Sequence, residues 1–570
     1  MTRRISFWFF ICILVCCARA NAAGADSVNS AVPPVEVLTD DNGDFVLDTP
    51  FPQWEKVTAD DVGIGDLTSC VDPEGKIPDW AEPLPVEPVK CVALSGDGNE
   101  LWAATGAGLI FLDLAGRRRL YFAGKRWLPD DDVISVGVTP EGDAYAKTLS
   151  GDSLLARRSM TLEQKALHFE KIMRERHNRM GMYTDVALEV PGDLSSYRQI
   201  DDDNDGQWTE MYLAAESFRY AVTKDPDALK TAREAFRAME RLLTVSPVKG
   251  YPSRSILPAD RCPGADPERW RMLPAGDWCW KSDTSVDELV GHYFGLPIYY
   301  DLVADEEERK TIRRLIADMT DYIVGNGMRL LDEKGNVTTH GNWDPEWVNT
   351  VGRTGDQGLN SLQALNALRS AHHITGDEKY LNEYRRLIRE HGYHKNVLRE
   401  KEISDRFQVN HDSDEMAFLS FYNLLRYEDD PELRERFFME GIRRAWEADL
   451  PERNPEQIVI YGAFAGRDFR LDLAVRTLRE IPLDLIKWTV RNSHRADVKA
   501  NSEKDRFGEL QSGFVPPYTE VHTMRWSENM YLLDAEDGGR SEAMATFWLL
   551  PYWMARRHGM IRPAAGEGPE

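Results

Sequence analysis

The sequence predicts a mainly α-helical protein of repeated helical hairpins, preceded by a small β-rich N-terminal module. From residue 162 onward, apolar residues recur at helical intervals, and the segments pair as helix, short connector, helix. Between residues 92 and 148, short runs alternate apolar and polar positions and are broken by glycine-containing turns. The chain is therefore expected to divide into a β-rich module at 51–160 and a helical domain at 161–570.

The first 22 residues have the pattern of a secretory signal peptide. Arg3 and Arg4 supply the positive start, residues 5–17 are apolar, and Ala20 and Ala22 form a small-residue cleavage site. Residues 23–50 are polar and rich in turn formers, as expected of a mobile leader. Because no later apolar run is long enough to cross a bilayer, we expect a secreted or periplasmic protein without a membrane span.

The net charge excludes some classes of partner, and the cysteine content predicts disulfide bonds. The formal net charge of −26 argues against nucleic acid or an anionic membrane surface as a partner. Removal of the signal peptide leaves four cysteines: Cys70, Cys91, Cys262 and Cys279. In an oxidising compartment, pairing of sequence neighbours predicts the disulfides Cys70–Cys91 and Cys262–Cys279, with free thiols as the alternative.

The β-rich region resembles a fragment of a sensor-type β-propeller. Residues 99–113, NELWAATGAGLIFLD, are similar to one blade, and residues 131–148 are similar to part of a second. Two blades cannot close a ring. We therefore expect a β module that packs on the helical domain.

Several apolar helices in the second region begin with acidic or amide side chains. The starts contain Asp205, Asp287 with Glu288, Asp356, and Asp414 with Glu415. Ser285 and Glu288 also have the spacing of a capping box, as do Asp412 and Glu415. A chain that starts buried helices with polar groups so often is expected to gather those starts around one site.

The helical segments are predicted near 162–179, 207–222, 226–244, 284–303, 305–325, 356–375, 377–392, 412–427, 430–447, 467–480 and 540–558. Five or six hairpins of about 60–80 residues favour a helical repeat closed into a ring. This organisation resembles the (α/α)6 toroid shared by many secreted glycoside hydrolases and polysaccharide lyases. The resemblance implies that the starts of the inner helices surround an active-site funnel.

Two sets of residues in these regions could carry carbohydrate chemistry. Hydrolysis needs a pair of carboxyl groups, whereas β-elimination needs a base and a group that neutralises a uronate carboxylate. Aromatic side chains in the loops could stack on sugar rings. The predicted catalytic residues are Asp287, His292, His340, His411, Asp414 and Tyr518. The predicted substrate-binding residues are Trp208, Arg254, Trp280, Asn342, Trp343, Arg353, Asn410, His522 and Arg525.

A metal site is suggested at 201–206, DDDNDG, which matches the first half of a calcium-binding loop. Asp201, Asp203 and Asp205 would be the ligands. Tyr212 stands where a bidentate glutamate is expected, so the loop is incomplete. We expect no required cofactor and at most a structural calcium ion.

These observations favour a secreted enzyme that cleaves a uronate-containing polysaccharide by β-elimination. The His, Asn, Tyr and Arg set lies in loops with no visible capping role, whereas Glu288 and Glu415 have one. Three alternatives stay open: a glycoside hydrolase that uses an Asp/Glu pair, a non-catalytic periplasmic protein that binds oligosaccharides or senses them, and a protein-interaction solenoid of extended shape.

Overall fold

The structure, a computed structural model, describes residues 45–58, 67–264, 268–350, 354–401, 411–501, 504, 508–522 and 526–563. The predicted signal peptide and most of the predicted leader lie outside these residues. The helices are α1 Leu162–Ile172, α2 Asp205–Thr223, α3 Pro226–Thr244, α4 Val286–Leu302, α5 Glu306–Gly325, α6 Pro345–Val348, α7 Thr354–Thr375, α8 Glu378–His391, α9 Tyr393–Asn396, α10 His411–Tyr427, α11 Pro431–Leu433, α12 Glu440–Asp449, α13 Pro455–Ala465, α14 Leu471–Glu480 and α15 Thr546–Arg557.

The strands are short outside the N-terminal module. They are β1 Val46–Asp48, β2 Phe51–Thr58, β3 Val89–Leu94, β4 Glu100–Thr105, β5 Gly108–Asp113, β6 Arg118–Phe122, β7 Val133–Val138, β8 Ala144–Thr148, β9 Gly151–Met160, β10 Asn178–Arg179, β11 Met182–Tyr183, β12 Val186–Leu188, β13 Tyr197–Gln199, β14 Ile256–Pro258, β15 Trp270–Met272, β16 Trp278–Lys281, β17 Arg329–Leu331, β18 Val337–Asn342, β19 Val490–Arg491, β20 Asp534–Ala535, β21 Ser541–Glu542 and β22 Ile561–Pro563.

Six helices of the described chain form a closed inner ring. Each packs on the next in the order α2, α4, α7, α10, α13 and α15, and α15 packs back on α2. Around them, α3 packs on α2, α5 on α4 and α7, α8 on α7, α12 on α10 and α13, α14 on α13, and α1 on α15. This confirms the predicted fold class, a mainly α (α/α)6-type toroid of helical hairpins preceded by a β-rich region.

The inner helices are buried on nearly every side, because each contacts two ring neighbours and an outer helix. Their apolar side chains belong to one continuous core that runs from α1 to α15. Close approach of α2 and α4 depends on two glycines of α4. A Cβ at Gly291 would lie 2.5 Å from the Cα of Gln207, and a Cβ at Gly295 would lie 2.5 Å from the carbonyl oxygen of Glu210.

The helix α13 was missing from the sequence prediction. Its segment is almost uniformly apolar after the first turn, so it has no polar face to reveal a helical period. A local signal was present at its start: Asn454 caps the helix by accepting from the backbone amides of Glu456 and Gln457, and Pro455 occupies the first turn.

The β module consists of two four-stranded antiparallel sheets. Their strand orders are β3-β4-β5-β6 and β2-β9-β8-β7, so the second sheet takes its fourth strand from upstream of the first. Trp54, Trp102, Phe111 and Phe122 pack edge to face or tilted between the sheets. Residues 99–113 contain β4 and β5, the central strands of the first sheet, and the resemblance to a propeller blade stays a prediction.

Two disulfides and one pair of strands provide further links within the chain. The disulfides Cys70–Cys91 and Cys262–Cys279 are both present, as predicted. Strand β1 pairs in parallel with β22, which joins the two ends of the described chain. Among the described residues, no helix has the length and apolar character needed to cross a membrane.

Candidate functional site: a cavity at the starts of the inner helices

The starts of four inner helices surround one cavity of about 520 Å³. The prediction that the polar helix starts meet in one place is thereby confirmed for α2, α4, α7 and α10. The strand β18 and helix α6 complete the wall. The lining residues are Asn204, Gln207, Trp208, Val286, Asp287, Thr339, His340, Gly341, Asn342, Trp347, Asp356, Leu359, Asn360, Asp412, Ser413 and Met416.

Asp287 lies in the first turn of α4 and is half-buried in the cavity wall. Loss of water around its carboxyl raises the pKa of Asp287 above the usual value of 3.8, while the charges of Arg254 and His340 oppose that rise. A carboxyl group with a raised pKa keeps its proton to higher pH than an exposed aspartate does. Asp287 is therefore a candidate for proton transfer.

His340 reaches the cavity on the hairpin formed by β17 and β18. Asp283, just before α4, anchors this hairpin: its carboxylate accepts from the backbone amide and the hydroxyl of Thr339, each at 3.0 Å. His340 is exposed on the cavity wall. The anchor therefore holds an imidazole beside the start of the helix that carries Asp287.

Arg254 ties the same corner together from behind. Its Nε donates to the carbonyl oxygen of Asp283 at 2.5 Å, and its Nη1 donates to the carbonyl oxygen of Asp203 and to Oδ1 of Asn204 at 2.8 and 2.9 Å. The predicted role of Arg254 was to bind a substrate carboxylate. In the structure its Nε and Nη1 are engaged with the loops that precede α2 and α4, and a role in substrate binding stays a prediction.

The cavity wall is acidic. Asp287, Asp356 and Asp412 come from the first turns of three different helices, and the described lining residues include no lysine or arginine. Asn204, Gln207, Asn342 and Asn360 add amide groups, while Trp208, Trp347 and Met416 add apolar surface. Such a mixture of carboxylates, amides and aromatic rings is suited to hydroxyl-rich, uncharged ligands.

The predicted catalytic residue His292 does not line the cavity. It is fully buried between α2 and α4, with Nδ1 3.2 Å from Oε1 of Glu210 and Nε2 3.9 Å from Oε2 of Glu288. Burial lowers the pKa of His292 to about 3 and raises the pKa values of Glu210 and Glu288 well above their usual range. His292 is held neutral in a polar contact inside the ring.

The capping box predicted for Ser285 and Glu288 is wrong. Ser285 precedes α4, but its side chain makes no cap hydrogen bond. Glu288 is buried against the start of α2, where a Cβ on Gly206 would lie 2.0 Å from its Oε2. The glutamate turns toward the neighbouring helix because Gly206 leaves room for its carboxyl group.

Three other predicted catalytic residues belong to a second, buried cluster at the start of α10. Lys401 lies 2.5 Å from Asp414 and 2.7 Å from Asp449. Nδ1 of His411 lies 3.5 Å from Oε1 of Glu452, and the Tyr518 hydroxyl donates to the Glu452 carbonyl oxygen at 2.8 Å.

The electrostatics of this cluster are strongly perturbed. Burial and the nearby Asp449 raise the pKa of Asp414 to about 8, against the opposing charge of Lys401. His411, Asp414 and Tyr518 are absent from the cavity lining, although Asp412, Ser413 and Met416 on the same helix are part of it. A catalytic role for the three stays a prediction.

Some of the predicted substrate-binding residues line the cavity and others do not. Trp208 and Asn342 line the cavity, and Nε1 of Trp208 donates to Asp202 at 3.0 Å. Trp280 and Trp343 are buried in the core, where Nε1 of Trp343 donates to Gln363. His522 is buried 3.3 Å from Glu528, away from the cavity lining. Arg353, Asn410 and Arg525 lie outside the described residues.

The predicted calcium loop is occupied by basic side chains of the protein. Nζ of Lys281 lies 3.2 Å from Asp201 and 2.5 Å from Asp203, and Arg179 pairs with Asp205. In the described part of the chain, no group of three or more His, Cys, Asp or Glu side chains could hold a metal ion. Calcium binding would have to displace Lys281, and it stays an untested prediction.

Sequence reasoning missed several lining residues. Asn204, Gln207, Asp356, Asn360 and Asp412 were not proposed as site residues, although each lies within or beside a polar helix start. The available signal was the position of these residues in the first turns of inner helices. Every polar side chain in the first turn of an inner helix could have been proposed as a site residue on that ground.

Comparisons with known proteins found only low sequence similarity, in solved structures. No protein-family model matches the sequence, and no curated protein matches it. Among the solved structures that match, three cover about the same share of this chain. A sugar epimerase from a ruminal bacterium has 13% identity, covers 70% of this chain and 98% of its own, and gives a TM-score of 0.39.

The other two are cellobiose 2-epimerases. The protein from Spirochaeta thermophila has 13% identity, covers 70% of this chain and 95% of its own, and gives a TM-score of 0.37. The protein from Bacillus thermoamylovorans has 11% identity, covers 69% and 98%, and gives a TM-score of 0.35. Similarity this low carries no argument about activity, so the function is inferred from the cavity of this chain.

Proposed function

We propose that this protein is a carbohydrate-active enzyme and that it binds its saccharide in the cavity at the starts of α2, α4, α7 and α10. The observation that carries the proposal is the convergence of Asp287, Asp356 and Asp412 from three inner helices on one cavity, with Trp208 and Trp347 in its wall. Aromatic faces bind the apolar faces of sugar rings, and amide groups bind their hydroxyls.

The geometry favours hydrolysis of an uncharged glycosidic linkage. Asp287, with its raised pKa, serves as the proton donor to the leaving oxygen, and Asp356 on α7 or Asp412 on α10 acts as base or nucleophile. The acidic wall would repel a uronate carboxylate. A neutral polysaccharide or oligosaccharide is therefore the preferred substrate.

β-Elimination is the second candidate, because His340 lies on the cavity wall within electrostatic reach of Asp287. In that reaction one of these groups would remove the proton beside the uronate carboxylate. A cationic group would also have to neutralise that carboxylate, and Arg254 is engaged with backbone and side-chain acceptors of the protein itself.

The test is a turnover assay on neutral and uronate-containing polysaccharides, with new reducing ends and ultraviolet absorbance followed together. We expect new ends without absorbance on neutral substrates. New ends with absorbance on uronates would establish β-elimination instead. Neither signal, combined with measurable saccharide binding, would contradict the enzyme proposal and favour the oligosaccharide-binding or sensor alternative.

Substitution of Asp287 tests whether its carboxyl group takes part in catalysis. Asp287→Asn should lower turnover about 10²–10⁴-fold, the usual contribution of a positioned acid. Asp468→Asn is the matched control, since Asp468 is exposed in a loop far along the chain. Because burial raises the pKa of Asp287, the protonated acid persists to higher pH than usual, and activity should fall as pH rises through that pKa. Unchanged turnover in Asp287→Asn would contradict the assignment.

A further inference from the structure

The hairpin formed by β17 and β18 supplies one wall of the cavity and lies against the segment that precedes α4. Within β18, the cavity lining includes the run 339–342. Near the hairpin turn, the carboxylate of Glu333 accepts from the hydroxyl of Ser282 at 2.7 Å. Further along β18, Thr339 donates to the carboxylate of Asp283 from its backbone amide and from its hydroxyl, each at 3.0 Å. Two successive residues before α4 therefore hold the hairpin at two separate points.

Asp283 has an unusual backbone conformation. Its φ of 59° lies in the left-handed region, which few residues other than glycine adopt. Residues persist in this conformation where the surrounding structure fixes them, and they are frequent at functional sites. Asp283 is fixed at both its backbone and its side chain, because its carbonyl oxygen accepts from Nε of Arg254 at 2.5 Å while its carboxylate binds Thr339. One residue thus joins the segment of Arg254 to the hairpin.

The residue that follows the anchored Thr339 is His340, which is exposed on the cavity wall. No hydrogen bond or ion pair joins its imidazole to another side chain or backbone group among the described residues. The placement of the imidazole therefore depends on the backbone of β18. The two bonds from Thr339 to Asp283 fix that backbone one residue away from His340.

His340 and Asp287 are close enough to influence each other. Burial raises the pKa of Asp287, and the charges of Arg254 and His340 lower it. The charged and titratable groups around Asp287 are Arg254 before β14, Asp283 and Glu288 near it in the sequence, His340 on β18, and Asp356 and Asp412 in the cavity wall. Of these groups, His340 is the one that the hairpin carries, so movement of the hairpin would change its effect on Asp287.

We propose that Asp283 is a positioning residue of the enzyme: by binding Thr339 it keeps His340 beside Asp287, so that both side chains face the same bound saccharide. The proposal rests on the proposed function, because it assigns His340 and Asp287 to one saccharide site. Asp283 does not line the cavity and acts through Thr339. The contact between Ser282 and Glu333 secures the hairpin turn, whereas Asp283 sets the part of β18 that faces the ligand.

The test compares Asp283→Gly with Asp283→Asn in the whole protein. Glycine and asparagine both adopt the left-handed conformation, so both variants should fold. Asparagine keeps the two bonds, because its carbonyl oxygen can accept from the Thr339 amide and its amide group can donate to the Thr339 hydroxyl. Glycine loses both bonds. Since each variant removes the negative charge, the difference between them reports the anchor alone.

We expect Asp283→Gly to lower kcat/KM on the saccharide about 10- to 100-fold and Asp283→Asn to stay within about twofold of wild type, because a displaced group loses its productive geometry. In Asp283→Gly, the pH at which activity falls should also move upward, since a displaced His340 no longer lowers the pKa of Asp287. His340→Gln should give the same upward shift. Loss of the Asp283 charge alone would move both Asp283 variants downward together. Equal kcat/KM values and equal pH profiles for the two variants would overturn the proposal.

A second measurement tests the anchor without turnover. In protein labelled with ¹³C in the histidine rings, the His340 signal is the one that disappears in His340→Gln. This signal should shift in Asp283→Gly and should coincide with the wild-type signal in Asp283→Asn. Absence of turnover by wild type would contradict the proposed function but would leave this test intact. An unchanged His340 signal in Asp283→Gly would overturn the positioning role of Asp283.

Discussion

At the scale of single residues, burial decides what each polar side chain can do. Asp287 and His292 lie on the same helix only five positions apart, yet Asp287 lines the cavity while His292 is fully enclosed. Loss of water raises the pKa of the aspartate and lowers that of the histidine. Asp287 can therefore exchange a proton with a ligand, whereas His292 stays neutral in a fixed contact.

His292 gives a prediction about acid stability. Its pKa in the folded protein is about 3, below the ordinary 6.5, so only the unfolded chain takes up this proton as the pH falls between those values. Wild type should therefore lose about 3 kcal/mol of unfolding free energy relative to His292→Gln between pH 7 and pH 4. Denaturant unfolding of both proteins at each pH measures the difference.

Glu210 and Glu288, which lie beside His292, also have shifted pKa values. Both the wild type and the His292→Gln variant contain these glutamates, so their effect on the free energy of unfolding largely cancels in the comparison. A constant difference between the two proteins at pH 7 and pH 4 would contradict the assignment of a buried, neutral imidazole.

At the scale of elements, the contact between α2 and α4 sets the geometry of the cavity, because these helices carry Gln207, Trp208 and Asp287 into its wall. Gly291 permits the close approach, since any side chain there would meet the backbone of Gln207. Backbone cannot rotate away as a side chain can, so a larger residue must push the helices apart.

Gly291→Ala should consequently lower the free energy of unfolding by about 3 kcal/mol and should weaken saccharide binding. The control is Gly325→Ala near the end of α5, where a Cβ would have nothing within 4 Å. That substitution should be neutral or slightly stabilising, because alanine favours helix more than glycine does. If Gly291→Ala were as stable as Gly325→Ala, the tight contact between α2 and α4 would be refuted.

The sequence predicted most elements from periodicity but could not predict which side chains share a site. The hairpins α2–α3, α4–α5 and α7–α8 were visible because their outer helices are amphipathic. Helix α13 was not, since a buried inner helix has no polar face. Glu288 has the spacing of a cap but contacts α2, and only the packing of the ring reveals that contact.

At the scale of the molecule, closure of the ring brings together residues that are far apart in the sequence. Asp287, Asp356 and Asp412 are more than fifty residues apart in turn, yet they line one cavity. Repetition of polar helix starts predicted this meeting. It could not reveal that Arg254 would join the loops that precede α2 and α4.

The two disulfides act on the stability of the whole fold. They close loops with sequence separations of 21 and 17 residues, one in the β module and one before α4. Each should stabilise by about 3 kcal/mol through restriction of the unfolded chain. Reduction should therefore lower the melting temperature. An unchanged melting temperature in reductant, with free thiols confirmed by alkylation, would contradict a stabilising role.

A crystal structure of the Asp287→Asn variant with a neutral oligosaccharide bound would show directly where the saccharide binds. The proposed site predicts sugar rings in the cavity between the starts of α2, α4, α7 and α10, within hydrogen-bond reach of residue 287 and of Asp356 or Asp412. A saccharide seated elsewhere, with this cavity left empty at saturating ligand, would contradict it.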